Sequence, residues 1–368
     1  MFKSLKRVFV ALCLASSSWS FASEAPDYSA YRGTFFIPYT ADSSYEQHLK
    51  VRVRINDGPV VDMLLDTGSS VVLISRNLAG NSNADGQAGL TEIPETGQIS
   101  RGNVAPLRIE FVDARGEGAM AGQAAVSELT GLVVDDIVCA PDAELAKACE
   151  AGPAENRVRR LGIGFGQLDG IAVFNLPQVK SGAVRAGFVL EPDGIRVGLK
   201  QAYAQEPFSH VKLEKPRVPG LQQNRWAYPQ ADLTVNVVDN DMPYMVHGRF
   251  LMDTGIRATL AGITGAPRYG KIPNGTEIYI TPRWVGGSGP QISWIEGNGP
   301  AAPMPKGHWT KIFEDVVTGW GDPFVNTGIR PVSQYRYLYD AEGGYWGLAP
   351  VKVSEIDDAH ESRDTLGR

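Results

Sequence analysis

Two stretches of this 368-residue chain carry residues that could work together as an acid and a base. Val61–Ile74 runs from apolar side chains through Asp66-Thr67-Gly68-Ser69 into a second apolar run, and Phe250–Leu260 does the same around Asp253-Thr254-Gly255. At average residue usage such a triplet arises by chance roughly once in several thousand positions, so one copy means little. Two copies, half a chain apart and each behind an apolar run, form a pattern. A buried carboxylate without a partner is costly. Two that face each other can share one proton, leaving a neutral acid beside an ionised base. Such a pair activates a water and protonates a leaving group, the two acts that amide hydrolysis needs.

To bring Asp66 and Asp253 together, each must end a buried strand in a tight turn, which glycine permits. The rest of the chain supplies strands. With 41 Gly and 24 Pro, and β-branched or aromatic runs outnumbering helical patterns, it reads as all-β with many turns. Strands are expected over 28–39, 49–55, 187–199, 208–213, 231–238, 276–280 and 334–339, with Asn56-Asp57-Gly58-Pro59 as the hairpin turn into the Asp66 strand. Residues 81–102 and 286–305 read as loops, 143–151 and 308–317 as short helices, and 215–223 as a Pro-containing linker. The length accommodates two domains, each able to bury a core.

Taken in order, these features resemble the pepsin-type, bilobal aspartic endopeptidases over about Tyr31–Pro350. Besides the two Asp-Thr-Gly turns, Arg115-Gly116-Glu117-Gly118-Ala119-Met120-Ala121-Gly122 is similar to that family's flap hairpin, with arms over 107–112 and 119–126. Leu161-Gly162-Ile163-Gly164-Phe165-Gly166 is similar to the glycine-rich strand behind the first aspartate. Asn326-Thr327-Gly328, Gln334-Tyr335, Leu338-Tyr339-Asp340 and Gly347-Leu348-Ala349-Pro350 resemble the family's C-terminal stretch. The resemblance implies a cleft between an N-terminal lobe (23–192, carrying Asp66 and the flap) and a C-terminal lobe (193–350, carrying Asp253). It implies that Thr67 and Thr254 bond across the lobe interface, that Gly68 and Gly255 shape the turns, and that Ser69 donates to Asp66. The substrate would be a peptide or protein held under Arg115, Gly116, Glu117 and Gly118. Strands over 187–199 and 208–213 would join the lobes in a shared sheet.

Four features depart from the family pattern. Ile256 stands where the second turn usually carries a hydroxyl, which leaves Asp253 without that donor and predicts a pair that holds its proton to higher pH. Arg115 stands where the flap usually presents a tyrosine, and Leu73 replaces that tyrosine's tryptophan partner. Asn326 and Thr327 are polar where two hydrophobic residues usually precede the glycine. A second reading follows, a pepsin-like peptide-binding module that catalyses weakly or not at all, as some plant inhibitors and receptors are.

Composition sets the setting. Residues 1–22 pair Lys3, Lys6 and Arg7 with an apolar run and a Ser20-Phe21-Ala22 cleavage site, a secretory signal too short to span a membrane. The following strand leaves no room for a prosegment. The product is expected in the periplasm or medium, as a monomer, without membrane or nucleic-acid partners, since the net charge of −6 comes with no basic cluster. Cys139 and Cys149 then meet an oxidising compartment and are expected to form a disulfide; the alternative, a metal site, lacks histidines at ligand spacing. No cofactor motif is present. Residues 351–368 are charged and patternless and read as a disordered tail.

Overall fold

Along Val51–Ile55 the three aliphatic residues are buried while Arg52 and Arg54 face outward, the period-two signature of a half-buried strand. The computed structural model describes residues 25–351 apart from 46, 83–85, 94–96, 141–148, 217–224, 239–241, 264–271, 298–309 and 314–322. Its strands are, in chain order, β1 (Gly33–Pro38), β2 (Lys50–Ile55), β3 (Val60–Asp66), β4 (Val72–Ser75), β5 (Ala88–Ile93), β6 (Gln98–Phe111), β7 (Arg115–Gly118), β8 (Val126–Cys139), β9 (Gly152–Pro153) and β10 (Arg159–Gly162). They continue with β11 (Gly187–Leu190), β12 (Gly194–Val197), β13 (Ser209–Lys212), β14 (Gln230–Asn236), β15 (Tyr244–Leu251) and β16 (Thr259–Gly262). The last six are β17 (Glu277–Pro282), β18 (Ile292–Ile295), β19 (Thr310–Phe313), β20 (Phe324–Asn326), β21 (Tyr335–Asp340) and β22 (Tyr345–Pro350).

These strands make three sheets. The first lobe is built on the order β5-β6-β2-β3-β10-β4-β8-β9 and the second on β18-β17-β14-β15-β20-β16-β19. The third, β13-β22-β21-β11-β12-β1-β7, draws strands from both ends and the middle of the chain. The fold is therefore all-β and bilobal, as expected, and the stretches 187–199 and 208–213 do enter the shared sheet.

The two lobes repeat one local topology. In the first, β10 runs parallel to β3 and antiparallel to β4, threading between the strands on either side of the Asp66 turn. In the second, β20 runs parallel to β15 and antiparallel to β16, around Asp253 in the same way. One hydrophobic cluster runs through both lobes and the shared sheet. Phe165, just after β10, packs against Tyr228 of the second lobe at 5.1 Å and Tyr339 of the shared sheet at 4.8 Å. Trp346 of β22 meets Phe250, three residues before Asp253, edge-on at 5.0 Å. Aromatic pairs of this kind make the lobe junction a core rather than a hinge.

Several sequence expectations are corrected here. Residues 81–102, read as a loop, contain β5 and the start of β6, a hairpin whose polar side chains hide its alternation. Residues 286–305 contain β18, whose Ile292 and Trp294 are buried. Thr310–Phe313, expected as helix, is a strand parallel to β16. The helix expected over 143–151, the linker over 215–223, the signal over 1–22 and the tail over 351–368 fall wholly or mostly outside the described residues. No helix among the described residues is long and apolar enough to cross a membrane.

Candidate active site

Each aspartate ends a buried apolar run, and the turn after it is locked by a threonine reaching into the other lobe. The Thr67 hydroxyl donates to the carbonyl of Met252 at 2.5 Å and accepts from the Thr254 N–H at 3.0 Å. The Thr254 hydroxyl returns both bonds, donating to the Leu65 carbonyl at 2.7 Å and accepting from the Thr67 N–H at 3.1 Å. Four buried backbone groups are thereby satisfied, and the two turns are held face to face. The glycines after the threonines make room for the opposing acid. A Cβ on Gly68 would lie 2.3 Å from Asp253 Oδ2, and one on Gly255 would lie 2.4 Å from Asp66 Oδ1. Each carboxylate thus rests against the other lobe's glycine.

Both carboxyls are buried, and each is dressed by its own lobe in a related way. On Asp66, Oδ1 accepts from the Gly68 N–H at 2.8 Å, and Oδ2 accepts from the Ser69 hydroxyl at 2.8 Å and from Arg160 Nη1 at 2.5 Å. On Asp253, Oδ1 accepts from the Gly255 N–H at 2.8 Å and Oδ2 from Asn326 Nδ2, also at 2.8 Å. Burial pushes the Asp66 carboxyl up, but the Arg160 guanidinium, Ser69, the Asp253 side chain and Gly68 outweigh it and hold the group below the usual carboxylate range. Beside the turns, His48 Nδ1 lies 3.4 Å from the Thr254 carbonyl. Burial, with Arg257, Arg160 and Lys50 nearby, holds its imidazole below the usual value, against the opposing bond to the Thr254 carbonyl.

The reading of Ile256 is corrected by this geometry. Ile256 offers Asp253 no hydroxyl, but Asn326 supplies the missing donor from β20. Asn326 is itself fixed, its Oδ1 accepting the Gly328 N–H at 3.0 Å. Two departures noted separately in the sequence therefore compensate each other. Arg160 was not singled out from the sequence at all. Its counterpart in the second lobe is Asn326: Arg160 is in register with Leu64 and Asn326 with Leu251, each two residues before its aspartate. Both also stand two residues before a glycine, Gly162 and Gly328, and that spacing was the available signal.

No protein-family model matches the chain, and no curated protein does. Among solved structures, the aspartic proteinase from Irpex lacteus is similar with a TM-score of 0.48 and 12% identity, over 87% of this chain and 98% of that one.

The expected flap is not where the sequence reading put it. Arg115, Gly116, Glu117 and Gly118 form β7, an edge strand of the shared sheet, paired with Gly33–Phe36 of β1. Glu117 is tied there by an ion pair with Arg196 and by the Thr34 hydroxyl at 3.2 Å, and the Arg115 guanidinium stacks over Phe36 at 5.2 Å. A glycine-rich stretch reads as an exposed hairpin tip; here its backbone and its acid are claimed by a strand and an arginine about 80 residues away on either side. A hairpin of the first lobe, β5–β6, pairs Ile93 with Gln98. Leu73 is buried with Leu132, Val134, Ile137, Ala154 and Val158, against Cys149. Cys139 and Cys149 form a disulfide with Cα atoms 5.8 Å apart, and Cys139 lies in register with Gln98 at the base of the β5–β6 turn. An open depression of about 690 Å³ on the first lobe, lined by residues such as Asn56, Arg108, Glu128 and Asn175, contains neither aspartate.

Proposed function

We propose that the chain is a secreted or periplasmic aspartic-type endopeptidase. The observation that carries this reading is the pair of buried carboxyls presented to each other by reciprocal threonine bonds, each with an independent set of donors. Two buried carboxyls this close do not both ionise. Asp66, with a cation and a hydroxyl on Oδ2, keeps the negative charge, and the shared proton falls to Asp253. Asp66 takes a proton from a water between the two side chains as that water attacks the peptide carbonyl. Asp253 polarises the carbonyl oxygen, and a proton passes on to the leaving amine. The peptide lies extended and adds main-chain hydrogen bonds to a strand edge. The N-terminal apolar segment and the Cys139–Cys149 disulfide support an oxidising location.

One observation favours the second reading, a peptide-binding module with little catalysis. The Arg160 ion pair on Asp66 weakens the very group that must act as base. The deciding experiment is hydrolysis of a peptide library by the purified chain, with a statine-type transition-state analogue as inhibitor. Cleavage that the analogue blocks, and that is lost in Asp66→Asn and in Asp253→Asn, supports the enzyme; tight analogue binding without any cleavage supports the module.

A further inference from the structure

Arg160 and Asn326 occupy equivalent positions in the two lobes, yet they differ in a way that the chemistry of the pair does not require. Asn326 is neutral, buried and held by Gly328, a fixed donor to Asp253. Arg160 is a cation whose side chain keeps 20% of its surface in solvent while the Asp66 side chain it touches keeps 1%. The Arg160 side chain therefore keeps partial contact with solvent while its guanidinium is bonded to the buried Asp66 Oδ2.

The register adds a second point. Lys50, Leu64 and Arg160 lie side by side across β2, β3 and β10, and directly opposed residues share a face of a sheet. This face is basic next to the aspartates. Lys50 is paired with Asp42 at 2.5 Å, which leaves Arg160 as the cation of that row that meets the candidate dyad. Facing Asp66 besides Arg160 are Asp253, Ser69 and the Gly68 N–H, while Arg257, Arg160 and Lys50 act on His48, whose Nδ1 lies 3.4 Å from the Thr254 carbonyl.

We propose that Arg160 is a specificity-determining residue for peptides carrying an acidic side chain, Asp or Glu, next to the scissile bond. The inference rests on the endopeptidase reading and names its substrate class. A carboxylate bonded to a guanidinium is a poor base, because the charge it would give up is already neutralised. An anionic side chain of a bound peptide presents the guanidinium with a second carboxylate within the reach of a rotamer change. Moving the ion pair from Asp66 to the peptide frees Asp66 to take a proton from water, so basicity returns when the right substrate is in place. A peptide with a neutral side chain leaves Arg160 on Asp66 and is cleaved slowly. Binding energy from the substrate is then used to raise the chemical step rather than binding alone.

The test uses synthetic peptide pairs that differ only by Glu against Gln beside the cleaved bond, at a pH of about 5.5, where a free Glu is ionised. Hydrolysis by the wild-type chain and binding to the non-cleaving Asp253→Asn chain are measured in parallel. The Glu peptide is expected to be favoured about tenfold or more in both, the ratio that one charge-assisted hydrogen bond supports. Arg160→Leu is expected to bring the ratio to about one while raising hydrolysis of the Gln peptide, and Arg160→Lys, which keeps the charge, to retain part of the preference. Equal treatment of Glu and Gln peptides by the wild type, or a Glu preference that survives Arg160→Leu, overturns the proposal. Absence of cleavage across the whole library overturns the endopeptidase reading instead, and the binding ratio on Asp253→Asn still decides the anion preference.

Discussion

At the scale of single residues, the donors on the two outer carboxylate oxygens set what the pair can do. Asn326→Leu removes the Nδ2 donor from Asp253 Oδ2 and leaves a buried oxygen unsatisfied, a loss of about 1–3 kcal/mol. The alkaline limb of the activity profile, where Asp253 gives up its proton, is expected to move to higher pH, and Ile256→Thr is expected to matter little alone but to reverse part of that shift in the double variant. A pH–rate series on the four chains checks this; an Ile256→Thr effect as large in the presence of Asn326 as in its absence would contradict it. Arg160 makes a companion prediction about stability. It depresses the Asp66 carboxyl, so its contribution is fully present above the unfolded value of about 3.9 and is lost as pH falls through the folded value. Arg160→Leu is therefore expected to cost on the order of 2 kcal/mol near neutrality, with the gap to wild type closing as the pH falls below about 3.9. Denaturant titrations at a series of pH values measure that gap, and a gap that widens on acidification refutes the assignment.

At the scale of elements, the reciprocal threonine bonds couple the β3 and β15 ends more tightly than either strand could manage alone. Thr67→Val keeps the shape but takes away the donor to Met252 and the acceptor for the Thr254 N–H. It is expected to cost about 2–4 kcal/mol and to lower kcat more than it changes KM, because the two turns lose their mutual register. Steady-state kinetics beside a thermal melt separate the two effects. The disulfide works at the same scale but away from the chemistry. It closes a loop with a sequence separation of 10 at the end of β8. Replacing both Cys139 and Cys149 by serine is expected to cost about 2–3 kcal/mol by the chain-entropy argument, with hydrolysis of a short peptide unchanged below the melting transition.

At the scale of the whole molecule, the stretch that the sequence reading had assigned to a flap belongs to the shared sheet. β7 sits at its edge, with Glu117 joined to Arg196 of β12 and Arg115 stacked on Phe36 of β1. Glu117→Gln is expected to act as a stability change of about 1 kcal/mol, and Arg115→Ala to leave peptide hydrolysis within about twofold of wild type. A larger drop in kcat/KM for Arg115→Ala, with the fold intact, would return that residue to the substrate. The aromatic contacts of Phe165, Tyr228, Tyr339, Phe250 and Trp346 bind this sheet to both lobes, so the spacing of the aspartates depends on packing outside the two Asp-Thr-Gly turns.

Some of this was legible in the residues alone. Apolar runs with a period of two, glycine turns and two copies of Asp-Thr-Gly sufficed for the all-β class, for the two turns, and for Ser69 as a donor, because each depends on neighbours within a few positions of the chain. The partners of the carboxyls were not legible, because they arrive on β10 and β20, strands whose place beside Asp66 and Asp253 is fixed by parallel pairing across 94 and 73 residues. The same holds for β7, whose composition suits a hairpin tip and whose destination was decided by a pairing surface on β1. Local chemistry chose the turns and the acids. Long-range strand register chose which cation, which amide and which edge would meet them, since a shift of one position would turn Arg160 and Asn326 to the opposite face.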